Sequence, residues 1–194
     1  MIRQICTGIF KLTGWQFRDN VPKELKSFVF IGAPHTSNYD FIQAMAVSYL
    51  MKRNAHFVIK KEWLKFPLGL FFKLIGGIGV ERNASKKSKP SSSTDEMAQL
   101  FSDHENFVLM IAPEGTRSPN ANWKTGFYYI ALKAKVPLVL GYANYRKKEA
   151  GLGLVLYPTD FEKDMVTIMD FYKDMEGCVQ DKFLLDQRFV KPNK

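Results

Sequence analysis

The stretch 33–40 contains a histidine and an aspartate that together could act as a general base. His35 and Asp40 are five residues apart, so on one continuous helix their side chains would diverge by about 140°. They can meet only if His35 lies in a turn and Asp40 in the first turn of a helix. Pro34 and the cap-forming residues 36–38 favour that break. Asp40 would then accept a hydrogen bond from one ring nitrogen and leave the other free to take a proton.

A purely structural interpretation of the same residues is also compatible with the pattern. Ser37 and Asp40 have the spacing of a capping box, in which the carboxylate only satisfies backbone N–H groups at a helix start. His35 would then be an ordinary turn residue. This stretch alone leaves both interpretations open.

A second polar turn, at residues 114–118, combines groups suited to binding an anion. Arg117 can hold a phosphate through two parallel hydrogen bonds, and Gly115 allows a ligand to approach the backbone closely. Glu114 and Thr116 add a carboxylate and a hydroxyl, and the amides of such a turn can face an anion. Lys124 is a further candidate for binding. The alternative is a surface turn without a ligand.

Both polar turns follow short apolar segments that the sequence predicts to be strands, at 28–31 and 107–111. Along the chain, further strand patterns at 55–59, 136–141 and 152–157 alternate with amphipathic helical patterns. This alternation predicts a single layered α/β domain, with a mostly parallel or mixed central sheet flanked by helices. The two turns would then gather at the carboxyl ends of the strands, where ligands bind.

Two apolar segments could contact either the core or lipid. Residues 2–10 carry apolar side chains at helical spacing, so residues 1–20 form an amphipathic segment that either packs on the domain or lies in the membrane interface. Residues 63–75 are apolar but interrupted by Lys65, Pro67 and Lys73, which argues against a membrane-spanning helix. For this segment we favour contact with lipid or a fatty chain over burial as a core helix.

The net charge and the cysteines exclude some classes of function but do not identify a single one. The chain of 194 residues has a formal net charge of +9, which attracts phosphates, acidic proteins, anionic membranes or nucleic acid. Cys6 and Cys178 form neither a disulfide framework nor a ligand pattern, and the three histidines are scattered. We therefore expect no metal and no disulfide, and a location on the cytosolic side.

Together, the two polar turns resemble the signature of the glycerolipid acyltransferases, the lysophosphatidic-acid and glycerol-3-phosphate acyltransferase superfamily. The resemblance rests on His-x4-Asp at 35–40 and Pro-Glu-Gly-Thr-Arg-Ser at 113–118, in this order and about 75 residues apart. Two weaker blocks agree with it, one at 77–82 that ends in Arg82 and one at 136–139. The resemblance covers roughly residues 28–142.

The resemblance implies a glycerol-3-phosphate acyltransferase-like fold over residues 21–194 and an O-acyltransferase acting on a lysophospholipid. His35 would be the general base and Asp40 its orienting partner. The acceptor hydroxyl would attack the thioester of the donor directly, without an acyl-enzyme. Arg117 and Arg82 would hold the acceptor phosphate, and Glu114 would orient Arg117 or the acceptor.

The implied phosphate site also includes Gly115 and Thr116, with Lys124 as a further candidate. The best-known acceptor of the superfamily is 1-acylglycerol 3-phosphate, and another lysolipid is the alternative. The donor is an acyl-carrier-protein or coenzyme A thioester, which is a co-substrate and not a bound cofactor. We therefore expect a peripheral enzyme at a membrane surface, on its cytoplasmic side.

Three other function classes fit the sequence less well. A non-catalytic lipid-binding domain would explain the charge and the apolar segments, but not the paired polar turns. A nucleic-acid binder is disfavoured because the basic residues are dispersed and no binding signature is present. A serine hydrolase would need a Gly-x-Ser-x-Gly elbow, which the sequence lacks.

Overall fold

In the computed structural model, which describes residues 1–65, 68–80 and 93–190, a seven-stranded sheet is flanked by six α-helices. The strands are β1 (Gln16–Asp19), β2 (Phe28–Ala33), β3 (Asn54–Lys60), β4 (Gly77–Val80), β5 (Phe107–Ile111), β6 (Leu138–Asn144) and β7 (Glu149–Leu156). The helices are α1 (Ile2–Leu12), α2 (Asp40–Leu50), α3 (Leu68–Leu74), α4 (Ser93–Asp103), α5 (Gly126–Ala134) and α6 (Phe161–Tyr172).

The sheet is mixed, with strand order β1-β7-β6-β2-β5-β3-β4. Five of its neighbouring pairs are parallel, and only β6 and β7 run antiparallel, as a hairpin-like pair. The α/β architecture predicted from the alternating patterns is therefore confirmed. β2 lies in the middle, between β5 and β6, which explains why its sequence is almost wholly apolar.

The central strands are covered on both faces, and alternate residues of β2 enter different parts of the core. Val29 and Ile31 pack in a cluster with residues of α5 and α6, whereas Phe28 and Phe30 pack with residues of α1 and α2. All four side chains are buried. This two-sided burial fixes the register of β2 and therefore the position of the turn that follows it.

The predicted strands and helices are present, with ends that differ by a few residues, but β1 was missed. β1 is four residues long, lies at the edge of the sheet beside β7, and carries mostly exposed side chains. It has no apolar alternation to reveal it, because only its backbone pairing makes it a strand. Residues 84–92 are polar and basic, which predicts a loop, and they lie outside the described residues. The boundary proposed at residue 20 stays a prediction.

Helices α1 and α3 each bury one side and expose apolar residues on the other. In α1, Cys6 and Phe10 are buried, while Ile5, Ile9 and Leu12 are exposed, as is Met1 just before the helix. In α3, Leu70 and Leu74 are 65% and 73% exposed. Among the described residues, no helix combines the length and the apolar character needed to cross a membrane.

Candidate active site

The two polar turns lie at one edge of the sheet because the strands before them are parallel neighbours. β2 pairs with β5 in a register that places Ile31 opposite Ile111, the last residue of β5. The turn after β2 leads to His35, and the turn after β5 leads to Glu114. The expected convergence at the carboxyl ends of the strands is therefore present in the structure.

His35 lies in the turn before α2, and Asp40 is the first residue of that helix. The Nδ1 atom of His35 is 3.4 Å from Oδ2 of Asp40, which is longer than a good hydrogen bond but within the range of unliganded sites that tighten when substrate binds. The imidazole is partly exposed and the carboxylate is buried. The pair thus has the geometry that a base and its orienting carboxylate require.

Asp40 also accepts three further hydrogen bonds. Its Oδ2 accepts from the backbone N–H groups of Thr36 and Ser37 at 2.7 and 2.8 Å, and its Oδ1 accepts from the Tyr145 hydroxyl at 2.6 Å. The structural and the chemical interpretations of this residue are therefore compatible, since one carboxylate closes the turn and faces His35. Burial raises the pKa of Asp40, but the hydrogen bonds from His35, Tyr145 and the turn amides outweigh burial and lower it.

Glu114 contacts the histidine turn from the neighbouring strand. Its Oε1 accepts from the backbone N–H of His35 at 2.7 Å, and the buried Oε2 has no hydrogen-bond partner within the described part of the chain. Burial raises the pKa of Glu114 to about 7. The carboxylate is therefore directed at the backbone of His35, and the expectation that Glu114 orients Arg117 or the acceptor stays a prediction.

The loop from Glu114 to Lys124 is closed by two hydrogen bonds to backbone carbonyls at its start. The side-chain amide of Asn120 donates to the Glu114 carbonyl at 2.8 Å, and the Lys124 N–H donates to the Pro113 carbonyl at 2.8 Å. Gly115 has φ of +69°, and a Cβ there would lie 3.0 Å from Cγ of Lys124. The turn therefore requires glycine at this position, for its conformation and for the close approach of the lysine.

A cavity of about 670 Å³ opens at this edge of the sheet. Its wall is mostly apolar, from residues that include Phe41, Met45, Phe57, Phe72, Ile75, Met97, Met110, Phe127 and Ile130. The polar residues that also line it are His35, Asp40, Gln43, Ser93, Thr94, Thr116, Arg117 and Lys124. An apolar space with a few polar groups is typical of a ligand site, and here it could hold a chain whose reactive end meets His35.

The cationic side chains at the cavity are exposed. Arg117 and Lys124 make no ion pair or side-chain hydrogen bond with any part of the chain that the structure describes. The predicted site residues His35, Asp40, Gly115, Thr116, Arg117 and Lys124 thus line one cavity, with Glu114 buried beside them. Arg82 lies outside the described residues, so its predicted contribution stays a prediction.

Tyr145 is a site residue that sequence reasoning missed. It follows β6 and is separated from Asp40 by 105 positions, in a turn without a recognisable motif. Nothing in a single sequence signals such a contact, because only the pairing of β6 with β2 brings the two residues together. Across residues 1–65, 68–80 and 93–190, His, Cys, Asp and Glu side chains form no group of three or more that could hold a metal ion.

Comparison with known proteins agrees with the chemistry of the site. The family model described as Acyltransferase matches residues 15–139, which include both polar turns and strands β1 to β5. No curated protein matches the chain. Since the matched region is more than half of the chain, this α/β protein belongs to the acyltransferase family, within the glycerolipid acyltransferase superfamily, and acyl transfer is the activity that this membership supports.

Proposed function

We propose that this protein is an O-acyltransferase that moves a fatty acyl group from a thioester to the hydroxyl of a lysophospholipid. The observation that carries the proposal is the position of His35 beside buried Asp40, 3.4 Å apart, on the wall of a large apolar cavity. An apolar cavity suits an acyl chain, and a paired histidine suits removal of a proton from a hydroxyl.

In the proposed reaction, the free nitrogen of His35 removes the proton of the acceptor hydroxyl as the oxygen attacks the thioester carbon. A carbon–oxygen bond forms, the tetrahedral intermediate collapses, and the carbon–sulfur bond breaks. The thiolate leaves and receives the proton from His35. Asp40 keeps the imidazole in the tautomer that can accept that proton and stabilises the imidazolium that forms.

The cations at the cavity support a phosphate-bearing acceptor. Arg117 and Lys124 line the cavity with exposed side chains, so an acceptor phosphate would meet them without displacing a protein carboxylate. We assign the acceptor as 1-acylglycerol 3-phosphate, with another lysolipid as the alternative. The donor is an acyl-carrier-protein or coenzyme A thioester, and the net charge of +9 suits either acidic partner.

The apolar surfaces of α1 and α3 support binding to a membrane. Ile2, from α1, and Phe72, from α3, pack against the same small cluster, which contains Cys6, Met45 and Ile75. Phe72 and Ile75 also line the cavity, so the cluster on which both helices pack forms part of the cavity wall. We propose that this surface rests on the cytoplasmic face of a membrane and receives lipid substrates from it.

Acyl transfer by the purified protein tests the proposal. The assay combines acyl-coenzyme A or acyl-carrier protein with a panel of lysolipids, and glycerol 3-phosphate serves as an acceptor without an acyl chain. In His35→Ala we expect a loss of about 10²- to 10⁴-fold in kcat, because the general base is gone. The matched control is His104→Ala, which removes an exposed histidine that contacts the Leu100 carbonyl and the rings of His56 and Phe107 and does not line the cavity as described.

Equal activity in wild type and His35→Ala would contradict the proposed mechanism. Acylation of a lysolipid without a phosphate, in preference to 1-acylglycerol 3-phosphate, would contradict the assigned acceptor. If neither donor acylates any acceptor while the protein still binds vesicles of anionic phospholipid, the chain is a lipid-binding domain with this fold.

A further inference from the structure

Tyr145 reaches the proposed catalytic pair from outside the region that the family model matches. The matched region ends at residue 139, within β6, and Tyr145 follows that strand. Its hydroxyl donates to Oδ1 of Asp40 at 2.6 Å, and a second acceptor, Oε1 of Gln43, lies 3.2 Å from the same hydroxyl. Asp40 therefore faces the histidine on one side and the tyrosine on the other.

The position of Tyr145 is fixed by contacts on its ring and its backbone. The ring meets Trp15 edge-on, with ring centroids 4.8 Å apart, and the Tyr145 N–H donates to the Glu176 carbonyl at 2.9 Å. The hydroxyl is therefore held in place by packing that does not depend on Asp40. A donor fixed in this way can dictate where the carboxylate lies.

The segment that holds Tyr145 also holds the histidine turn. After Glu176, Gly177 packs against Pro34 and Thr36 so closely that a Cβ would lie 2.8 Å from Cγ2 of Thr36. Two residues later, the Val179 N–H donates to Oγ1 of Thr36 at 3.1 Å. Residues 176–179, which lie beyond the matched region, thus join the tyrosine to the turn that precedes Asp40 within that region.

We propose that Tyr145 is a positioning residue of the acyl transfer reaction, which fixes the Asp40 carboxylate so that Oδ2 faces Nδ1 of His35. This inference rests on the proposed function. The two turn amides donate to Oδ2 and the tyrosine donates to Oδ1. Rotation of the carboxylate away from the imidazole would therefore break hydrogen bonds on both oxygens. Tyr145 does not touch the reacting atoms and acts through Asp40.

The chain contains a matched control for this tyrosine. Tyr128 donates its hydroxyl to Oδ2 of buried Asp164 at 2.7 Å, and that carboxylate also accepts from the amides of Thr159 and Asp160. Neither Tyr128 nor Asp164 is among the described residues that line the cavity. Tyr128→Phe therefore removes an equivalent buried hydrogen bond away from the proposed site.

The test compares Tyr145→Phe and Tyr128→Phe by steady-state kinetics with the same donor and acceptor. The phenylalanine keeps the ring that packs on Trp15 and removes only the hydroxyl. For Tyr145→Phe we expect kcat to fall about tenfold with KM unchanged, since a hydrogen bond to a charged group is lost and substrate contacts are not. For Tyr128→Phe we expect wild-type kcat and KM.

A second measurement follows the His35 ring by NMR as pH is varied, without substrate. The resonance is assigned among the three histidines by its loss in His35→Ala. Without the tyrosine, Asp40 attracts a proton on the imidazole more strongly, so the His35 transition should move to higher pH in Tyr145→Phe but not in Tyr128→Phe. The ionisable groups that face Asp40 are His35, Tyr145 and Glu114, and Cys178 approaches the Tyr145 hydroxyl.

The two readouts separate failure of this inference from failure of the proposed function. An active enzyme in which Tyr145→Phe changes neither kcat nor the His35 transition would overturn the positioning role. Equal losses of kcat in Tyr145→Phe and Tyr128→Phe would also overturn it, because they would reflect general destabilisation. If the wild type transfers no acyl group, the proposed function fails, and the NMR shift alone then decides whether Tyr145 controls the pair.

Discussion

The chain builds the same carboxylate arrangement twice, at Asp40 and at Asp164. Each aspartate lies in the first turns of a helix, accepts from two backbone N–H groups just before it, and accepts from a tyrosine hydroxyl of another element. The tyrosine distances are 2.6 Å at Asp40 and 2.7 Å at Asp164. Both clusters close the start of a helix, but at Asp40 the tyrosine donates to Oδ1 and the amides to Oδ2, whereas at Asp164 all three donate to Oδ2.

Their surroundings differ. Asp40 has a partly exposed histidine 3.4 Å away, a buried glutamate on the backbone of that histidine, and an apolar cavity that exposed cations also line. The Asp164 cluster is packed against aromatic side chains such as Phe161, which meets the ring of Tyr128. The comparison teaches that a buried, well-bonded carboxylate is a structural unit, and that chemistry depends on a titratable partner and an open space beside it.

The largest expected effect is a difference in kcat between variants of the two aspartates. Asp40→Asn should lower kcat about 10³-fold, because an amide cannot hold the imidazole in the required tautomer or stabilise its charged form. Asp164→Asn should leave kcat near the wild-type value. Both variants should lose about 1–3 kcal/mol of unfolding free energy, since both leave buried donors without an acceptor. Steady-state kinetics and urea unfolding measure the two effects, and a loss of kcat in Asp164→Asn as large as that in Asp40→Asn would contradict the distinction.

An intermediate effect concerns Arg117, which lines the cavity beside Asp40. Arg117→Ala should raise KM for a phosphate-bearing acceptor about 10- to 100-fold with little change in kcat, because a charge-assisted hydrogen bond to the bound acceptor is lost. Arg117→Lys should recover only part of the loss, since lysine keeps the charge but not the paired hydrogen bonds.

The control for this variant is Arg18→Ala, which removes an exposed arginine that pairs with Glu149 at the edge of the sheet. Its KM should equal that of the wild type. A KM that rises equally for acceptors with and without a phosphate would show that Arg117 acts on something other than the phosphate.

The smallest expected effect concerns Glu114 and is a change in how the free energy of unfolding depends on pH. Its folded-state pKa of about 7 is above the ordinary value of 4.5, so the protonated form is favoured by folding. Stability from this group is complete below about pH 4.5 and is lost as pH rises through 7, which costs on the order of 2 kcal/mol between pH 5 and 7.5. Glu114→Gln keeps an oxygen that can accept from the His35 N–H and should lack that decline.

Urea unfolding of wild type and Glu114→Gln at several pH values measures this difference. The difference in unfolding free energy between the two proteins should change with pH in the window from 5 to 7.5. An identical pH dependence in both proteins would mean that Glu114 is ionised in the folded protein throughout this range.

Much of the fold could be predicted because the buried strands carry their own signal. The apolar runs at β2 and β5, and the helical periodicity between the strands, indicated an α/β sheet with two polar turns at one edge. β1 was not predicted because a short, exposed edge strand has no side-chain pattern, and its partner β7 lies more than a hundred residues away in the sequence. The ends of the helices were less well predicted than their existence, as is usual where the last turns depend on local contacts.

For the site, the amino-acid sequence by itself determined the reactive groups. The spacing of His35 and Asp40 allowed a contact only across a turn and a helix start, and the resemblance of the two motifs to the glycerolipid acyltransferases implied acyl transfer. These features are local, since they depend on covalent spacing and on the chemistry of a few side chains.

Only the tertiary structure decided how these groups are held. The pairing of β2 with β5 directs Glu114 to the backbone of His35, and the pairing of β2 with β6 brings Tyr145 to Asp40. The tertiary structure also decides which side of α1 and of α3 packs against the core and which side is exposed. These contacts join residues that are far apart in the chain. A single sequence does not encode them as a pattern, because they arise from the order and register of strands in the folded sheet.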